Sequence, residues 1–211
     1  MNKGARAGTR VYRQRARADA AEATVQRIID ALIECNRDRG FDDITLDEIA
    51  QRAGVTRQTV IRRFKNKEGL LDAFVKVVPG QIRAQREVAP GDVRGSVERV
   101  FGVYEAMGDA VIRNLGEESR FAALRALIER GRREHREITA AIFAPFLERL
   151  SKPQQQRAVD ALVIATDVYT WKLVRRDMRR SRTEAMAVME SLVRGVLAQL
   201  GDPGSREGDR T

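Results

Sequence analysis

The segment from Thr45 to Leu71 constrains this chain most, because it predicts two short helices joined by a tight turn. Thr45 and Glu48 form a capping box, in which each side chain satisfies an orphan backbone donor of the other residue. An apolar stripe follows at helical spacing: Leu46, Ile49, Ala50 and Ala53. Gly54 is expected to end this helix in the left-handed conformation, and Thr56 to cap the second helix.

The register of three residues favours a helix-turn-helix. With Leu46 as the first position, Ala50 is fifth, Gly54 ninth and Val60 fifteenth. These supply a small residue where the helices cross, a glycine in the turn and a branched residue that locks the second helix. The outer face of that helix carries hydrogen-bond donors suited to a DNA groove: Arg57, Gln58, Thr59, Arg62 and Arg63. The alternative is an ordinary helical hairpin with a polar outer face.

From Val25 to Phe74 the chain resembles the DNA-binding domain of the tetracycline-repressor (TetR) family. The residues that carry the resemblance are Gly40-Phe41, Thr45, Ile49-Ala50, Ala53-Gly54-Val55, Thr59-Val60, Phe64 and Lys67-Glu68-Gly69-Leu70-Leu71. The resemblance implies an all-α protein with an N-terminal three-helix DNA-binding domain and a C-terminal helical ligand-binding and dimerisation domain. It also implies repression that a small molecule relieves.

Two positions depart from the family pattern. The family commonly has a tyrosine where Ile61 stands and a histidine or tyrosine where Arg63 stands, and both usually contact the DNA backbone. Ile61 cannot donate a hydrogen bond. Arg63 offers a charged phosphate contact instead, which would steepen the salt dependence of binding.

We assign the candidate DNA contacts by position. Helix starts bring hydroxyl, ammonium and backbone N–H groups to phosphates, and the residues there are Thr45, Thr56 and Lys67. Arg57, Gln58 and Thr59 open the second helix and are the candidates for base edges, with Arg62 and Arg63 beside them. A twofold dimer would read a palindromic operator in double-stranded DNA. Two other functions stay open: an activator or architectural DNA-binding protein without an effector, and a helical enzyme or interaction module.

Composition is consistent with this interpretation. Aromatic residues make up 5% of the chain and charged residues 33%; alanine, leucine, arginine and glutamate are abundant and proline is scarce between Leu46 and Val78, which favours an all-helical protein. No apolar run reaches the length of a membrane span, and no secretory signal is apparent. One cysteine, Cys35, suits a reducing compartment. We therefore expect no membrane association and a bacterial cytoplasmic protein, nucleoid-associated when bound to DNA. The net charge of +9 suits a polyanionic partner.

The predicted organisation has four segments: a basic flexible arm at 1–19, the DNA-binding domain at 20–80, the ligand-binding and dimerisation domain at 81–200, and a disordered tail at 201–211. The arm has two interpretations, a solvated tail or a segment that follows phosphates or enters the minor groove. The predicted helices outside the helix-turn-helix run from about Ala20 to Arg39, from about residue 66 to Arg83 or beyond, Asp92–Leu115, Ser119–Gly131, Glu134–Leu150, Pro153–Met178 and, after a capping box of Ser181 and Glu184, to Leu200.

The last two of these helices carry apolar stripes that predict a dimer interface. The stripes consist of Ala158, Ala161, Leu162 and Ala165, and of Ala185, Met189, Leu192 and Val196. The alternative is that both stripes face one monomeric core.

A candidate ligand pocket for a small hydrophobic or aromatic compound is lined by Phe101, Tyr104, Met107, Phe121, Phe143 and Trp171. Ordinary core packing explains each of these residues equally well. Gly102 and Gly108 make room either for a ligand or for a neighbouring helix.

Enzymatic chemistry has little support in the sequence. His135 is the only histidine and lies in the charged stretch Arg132–Glu137, so we expect it to be solvated. No Cys/His set suits zinc, and no glycine-rich phosphate loop is present. We therefore predict no catalytic residue, no cofactor and no metal. Cys35 lies beside the apolar stripe of the first helix and is expected to be packed.

Overall fold

The computed structural model describes residues 4–86 and 88–201, and all regular structure in these ranges is helical, which confirms the all-α class. The helices are α1 Gly4–Asn36, α2 Leu46–Arg52, α3 Arg57–Phe64, α4 Lys67–Gln85, α5 Val93–Glu117, α6 Ala122–Leu147, α7 Lys152–Ala165, α8 Val168–Lys172 and α9 Arg182–Gly201, with a π-helical turn at Leu173–Asp177 after α8. No helix among these residues is both long and apolar enough to cross a membrane.

The chain divides into two compact units, Met1–Lys76 and Val77–Thr211. In the first unit, apolar side chains of α1 to α4 form a core: Ile28, Ile29, Leu32, Phe41, Ile44, Ile49, Val60, Phe64, Leu70 and Phe74. The rings of Phe41 and Phe74 meet edge to face, with centroids 5.4 Å apart. Cys35 is buried, as expected, and burial raises the pKa of its thiol.

Helix α1 differs from the prediction at both ends. It begins at Gly4, far before Ala20, because the segment before Ala20 is rich in the helix formers arginine and alanine and contains no proline. It ends at Asn36, whose amide Nδ2 donates to the carbonyl of Arg39 at 3.2 Å. The backbone of residues 4–19 is thus helical, residues 1–3 lie outside the described residues, and the flexibility of the arm stays a prediction.

In the second unit, α5 contacts α6, α8 and α9. Asp92 caps α5, since its carboxylate accepts a hydrogen bond from the backbone of Gly95 at 2.8 Å. The core consists of large apolar residues from α5 to α9, together with small ones from α7 and α9: Val97, Val100, Phe101, Tyr104, Ile142, Phe143, Leu162, Ala165, Trp171, Ala185, Met189 and Val193.

The two predicted helices Ser119–Gly131 and Glu134–Leu150 are one helix, α6. Gly131 was expected to end the first, but it is not among the glycines with positive φ. The buried residues Ile128, His135 and Ile142 recur seven positions apart on both sides of it. This continuous inward face offsets the cost of about 1 kcal/mol for a glycine inside a helix.

The predicted helix Pro153–Met178 is interrupted at Thr166 and Asp167. The Thr166 hydroxyl donates to the carbonyl of Leu162 at 2.8 Å, and the Asp167 carboxylate accepts from the backbone of Tyr169 at 2.9 Å. Such local side-chain bonds compete with a continuous helix, so α7 ends and α8 begins here.

The predicted capping box before α9 is confirmed. Ser181 Oγ accepts from the backbone of Glu184 at 3.3 Å, and Glu184 accepts from the backbone of Ser181 at 2.9 Å. Helix α9 includes Gly201, and the rest of the predicted tail lies outside the described residues.

Candidate functional site

Two side chains fix the start of α2, and a third residue ties them to the end of α1. Thr45 Oγ1 accepts from the backbone of Glu48 at 3.3 Å, and the Glu48 carboxylate accepts from the backbone of Thr45 at 3.2 Å, which confirms the capping box. Arg39 also donates to Glu48 at 2.7 Å. This bond, and secondly the one from Thr45, hold the pKa of Glu48 below its usual value. The cap therefore stays ionised at neutral pH.

The turn between α2 and α3 has the predicted geometry. Gly54 has φ +65°, and the backbone of Val55 donates to the carbonyl of Ala50 at 3.0 Å. Arg27 of α1 donates to the carbonyl of Ala53 at 3.3 Å, so one orphan carbonyl of the helix end has a partner. Thr56 caps α3 by accepting from the backbone of Thr59 at 3.2 Å.

Helix α3 has one buried face and one exposed face. Val60 and Phe64 point into the core, as the spacing predicts. Thr59 is half-buried, and its hydroxyl lies 3.0 Å from that of Thr56. The remaining side chains of the helix are exposed: Arg57, Gln58, Ile61, Arg62 and Arg63. The exposed face is thus made of hydrogen-bond donors except at Ile61.

A tight corner joins α3 to α4. Lys65 has φ +69°, and the backbone of Asn66 donates to the carbonyl of Phe64 at 2.9 Å, closing a three-residue turn. The side chain of Asn66 caps α4 by accepting from the backbone of Gly69 at 2.9 Å. A Cβ atom on Gly69 would lie 2.0 Å from the carbonyl oxygen of Phe64. Only glycine therefore permits this close approach of the two helices.

Two of the cationic side chains predicted to contact DNA have partners within the chain. The Lys67 ammonium donates to the carbonyl of Asp42 at 3.2 Å, which uses one of its three hydrogens. Arg57 Nε lies 3.7 Å from a carboxylate oxygen of Asp47, and both side chains are exposed. Exposed pairs of this kind contribute at most about 1 kcal/mol, so Arg57 is readily released to another acceptor.

Comparison with known proteins identifies this arrangement. Residues 28–74 match the model of bacterial regulatory proteins of the tetR family. The chain is 50% identical over 62 residues to the HTH-type transcriptional regulator SrpR of Pseudomonas putida and 52% identical over 62 residues to the HTH-type regulator TtgW of a strain of the same species. Over this segment, which contains α2 and α3, the chain is similar to regulators of the TetR family. These matches cover 28% of the chain, 29% of SrpR and 46% of TtgW, less than half of either relative.

Solved structures of transcriptional regulators, one of them described as a tetR-family protein, share the fold over most of the chain. A regulator from Streptomyces coelicolor superimposes with a TM-score of 0.60 at 19% identity, covering 90% of this chain and 96% of that one. FadR from Bacillus subtilis, in complex with stearoyl-CoA, superimposes with a TM-score of 0.56 at 20% identity, covering 82% and 97%. At these identities the likeness concerns the fold alone.

Most of the aromatic residues predicted to line a ligand pocket pack in the core of the second unit. Phe101, Tyr104, Phe143 and Trp171 are buried there, and Met107 packs against them. Tyr104 donates to the carbonyl of Thr166 at 3.1 Å, and Trp171 Nε1 donates to Glu105 at 2.9 Å. Phe121 is half-buried at the start of α6 and is not part of this cluster.

Gly108 makes room for a neighbouring helix rather than for a ligand. A Cβ atom there would lie 2.5 Å from Cζ3 of Trp171 on α8, whereas a Cβ on Gly102 would meet no atom within 4 Å. The Trp171 ring therefore lies directly against the backbone of α5.

The predicted dimer stripes lie largely inside the chain's own core. Five of the eight residues are buried: Ala158, Leu162, Ala165, Ala185 and Met189. Their assignment to an exposed interface is wrong, because α7 and α9 pack their small and apolar residues inward. Ala161 and Val196 are half-buried and Leu192 is 45% exposed. The large apolar side chains that are exposed on and after α7 are Ile164, Tyr169, Leu173, Met178, Val188 and Leu192.

A small cavity within the second unit was not predicted. Its polar lining residues are Arg86, Ser96, Thr139 and Thr166, and its apolar ones are Val100, Ile138, Ile142 and Phe143. Of the six aromatic and methionine residues predicted for a pocket, Phe143 is the one in this lining. The cavity measures about 10 Å³, room for about one water molecule.

His135 lies beside this cavity and is buried, so the prediction of a solvated side chain is wrong. It accepts a hydrogen bond at Nδ1 from the Arg86 guanidinium, and Nε2 lies 3.3 Å from the carbonyl of Val163. Burial, and secondly the Arg86 charge, lower the pKa of His135 to about 4. The sequence does contain one signal for the burial of His135, because it lies seven residues from both Ile128 and Ile142 and so shares their face of the helix. Nothing in the sequence alone points to Arg86.

Proposed function

We propose that the chain is a dimeric, sequence-specific DNA-binding transcriptional regulator that leaves a palindromic operator when a small molecule binds. The observation that carries the proposal is the exposed face of α3. Its donors stand on a helix held by the Thr56 cap, by the Gly54 turn and by the buried side chains of Val60 and Phe64. A short, rigidly held helix with exposed donors suits the major groove.

Within this proposal the exposed residues divide into two roles. Arg57 and Gln58 lie at the start of α3, exposed, where a helix entering the groove meets base edges. Arg62 and Arg63 lie at its end and suit phosphates, as do the exposed helix starts at Thr45 and Thr56. Thr59 is half-buried and bonded to Thr56, so we expect its methyl group, not its hydroxyl, to meet DNA.

The dimer is proposed on a corrected set of residues. Ile164 is 67% exposed and Leu192 is 45% exposed, on two helices that pack against each other. Apolar side chains exposed in this way favour a partner surface. A twofold axis would then present two copies of α3 to one palindrome.

The relatives support both parts of the proposal. SrpR and TtgW are named as transcriptional regulators, and they match the part of the chain that contains α2 and α3. FadR, which shares the fold, holds stearoyl-CoA, an example of this fold with a bound small molecule.

Selection of duplexes from random DNA, followed by anisotropy titration at several salt concentrations, tests the proposal. We expect an inverted-repeat site and an affinity that falls steeply with salt. The double variant Arg57→Ala/Gln58→Ala should lose preference for that site. Arg149→Ala serves as control, because Arg149 is an exposed arginine outside the first unit. Absence of salt-dependent duplex binding by the wild type would refute the proposal.

A further inference from the structure

Arg86 is a buried cation that has no ion-pair partner within the described part of the chain. The residue is 9% exposed, and its Nε is buried with no hydrogen-bond partner. Its guanidinium donates to His135 Nδ1, a neutral acceptor. No salt bridge is found for Arg86 among the described residues. Burial raises the pKa of Asp167, the charge of Arg86 opposes this shift, and no salt bridge between the two side chains is found among the described residues.

An uncompensated buried charge is costly, so proteins normally pair such a group or place it where a ligand supplies the counter-charge. Arg86 cannot lose its charge, because a guanidinium keeps its proton in proteins. His135 cannot supply a negative charge in either protonation state. Among the described residues no carboxylate is in contact with Arg86, so an anion that enters the cavity would supply a counter-charge there.

The cavity next to Arg86 has the composition of a binding site for an anion with an apolar body. Arg86 and Thr139 can donate to an anionic group. The hydroxyls of Ser96 and Thr166 already donate to the backbone at 2.7 and 2.8 Å. The other lining residues are apolar, namely Val100, Ile138, Ile142 and Phe143.

We propose that this cavity binds the carboxylate of a small organic acid, with Arg86 as its charge partner and with its hydrocarbon part against the apolar lining. A planar carboxylate matches the fork of a guanidinium, and such charge-assisted bonds are among the strongest. Because the cavity holds about one water molecule, a larger acid enters only when α5 and α6 separate slightly. Small organic acids are thus the proposed class of effector. Their effect on DNA binding rests on the proposed function.

Calorimetric titration with matched pairs of acids and amides tests the proposal. The probes are sodium benzoate with benzamide and sodium hexanoate with hexanamide, at constant ionic strength. We expect at least one acid to bind and to raise the melting temperature, while its amide does neither. Equal binding of acid and amide, stabilisation by sodium chloride alone, or no binding of either acid would overturn the proposal.

Variants at position 86 test whether Arg86 supplies the positive charge that binds the acid. Arg86→Met should weaken binding of the acid by about ten- to a hundredfold, as expected for a lost charged hydrogen bond. Without the acid it should be no less stable than the wild type, because it removes an uncompensated charge. Arg86→Lys should keep part of the affinity. Arg149→Met is the matched control at an exposed arginine. Unchanged affinity in Arg86→Met would refute the assignment.

The test of acid binding can fail or succeed independently of the proposed function in DNA binding. Acid binding is measured without DNA, so a protein that binds no duplex still decides this inference. Where the protein binds an operator, we expect the acid to weaken that binding in the wild type and not in Arg86→Met. An acid that binds through Arg86 but leaves DNA affinity unchanged would uphold the site and refute its role as effector.

Discussion

Two glycines of α5 differ in what surrounds them, and this makes a matched pair of variants. A Cβ at Gly108 would lie 2.5 Å from the Trp171 ring, and a Cβ at Gly102 would meet nothing within 4 Å. We expect Gly108→Ala to lower the free energy of unfolding by about 1–3 kcal/mol, because the packed ring has to shift. Gly102→Ala should raise it by about 0.5–1 kcal/mol through helix propensity. Urea denaturation measures both, and equal effects would contradict the packing described for Trp171.

His135 makes the stability of the second unit depend on pH. Its pKa is about 4 in the folded chain against 6.5 for an ordinary histidine, so between these values the unfolded chain binds a proton that the folded chain does not. The contribution of His135 to the free energy of unfolding is therefore fully present above pH 6.5. It falls by about 3 kcal/mol in total as the pH drops towards 4.

The variant His135→Gln isolates this effect, because glutamine does not titrate. Carboxylates titrate in both proteins and cancel in the comparison. We expect the difference in unfolding free energy between wild type and variant to change with a slope of about 1.4 kcal/mol per pH unit between pH 6.5 and 4. A parallel pair of pH profiles would show that His135 is not held neutral in the fold.

The two ends of helix α3 are expected to have different roles on DNA: residues at its start determine sequence preference, and residues at its end determine overall affinity. Gln58 stands at its start and Arg62 one turn later, and both are exposed. Under the proposed function, Gln58→Ala should cost about 1–3 kcal/mol at one base pair and relax preference there. Arg62→Ala should weaken all duplexes alike and lower the salt slope by about 1. Anisotropy titrations on operator variants distinguish the two, and a uniform loss in Gln58→Ala would make it a positioning residue.

The elements that could be predicted from sequence are those that local chemistry determines. The capping boxes at Thr45 and Ser181 and the left-handed Gly54 depend on residues a few positions apart, and all three are confirmed. The break at Thr166 was missed, because threonine bonds to its own helix only when the surrounding packing favours it. Gly131 does not end α6, because the buried face of the helix continues on both sides of it.

The candidate site was predictable only in part for the same reason. The exposed face of α3 follows from spacing within eight residues. Arg86 and His135 are 49 positions apart and meet only through tertiary packing. Small residues such as Ala165 and Ala185 suit close helix contact equally well inside one chain or between two, so their burial could not be assigned from the sequence.

For the molecule as a whole, the exposed apolar residues on and after α7 predict that two copies of the chain associate. Leu192→Asp and Ile164→Asp each place a charge on a surface that the proposed dimer buries. We expect sedimentation velocity to show monomers and operator affinity to fall, since a monomer offers one copy of α3. Phe146→Ser is the control, because Phe146 is similarly exposed, at 41%, but lies on α6. A monomeric wild type, or dimeric variants, would rule out this interface.

The corner between α3 and α4 has a mechanical consequence. The carbonyl of Phe64 lies against Gly69, and Asn66 caps the next helix, so no hinge separates the two helices. When the first turn of α4 tilts, α3 therefore tilts with it, and α3 is about 12 Å long. A rotation of about 10° would move Arg57 and Gln58, at the far end, by about 2 Å. Under the proposed function, a displacement of that size exceeds what a hydrogen bond to a base tolerates, so a small rotation of α4 would be enough to release the DNA.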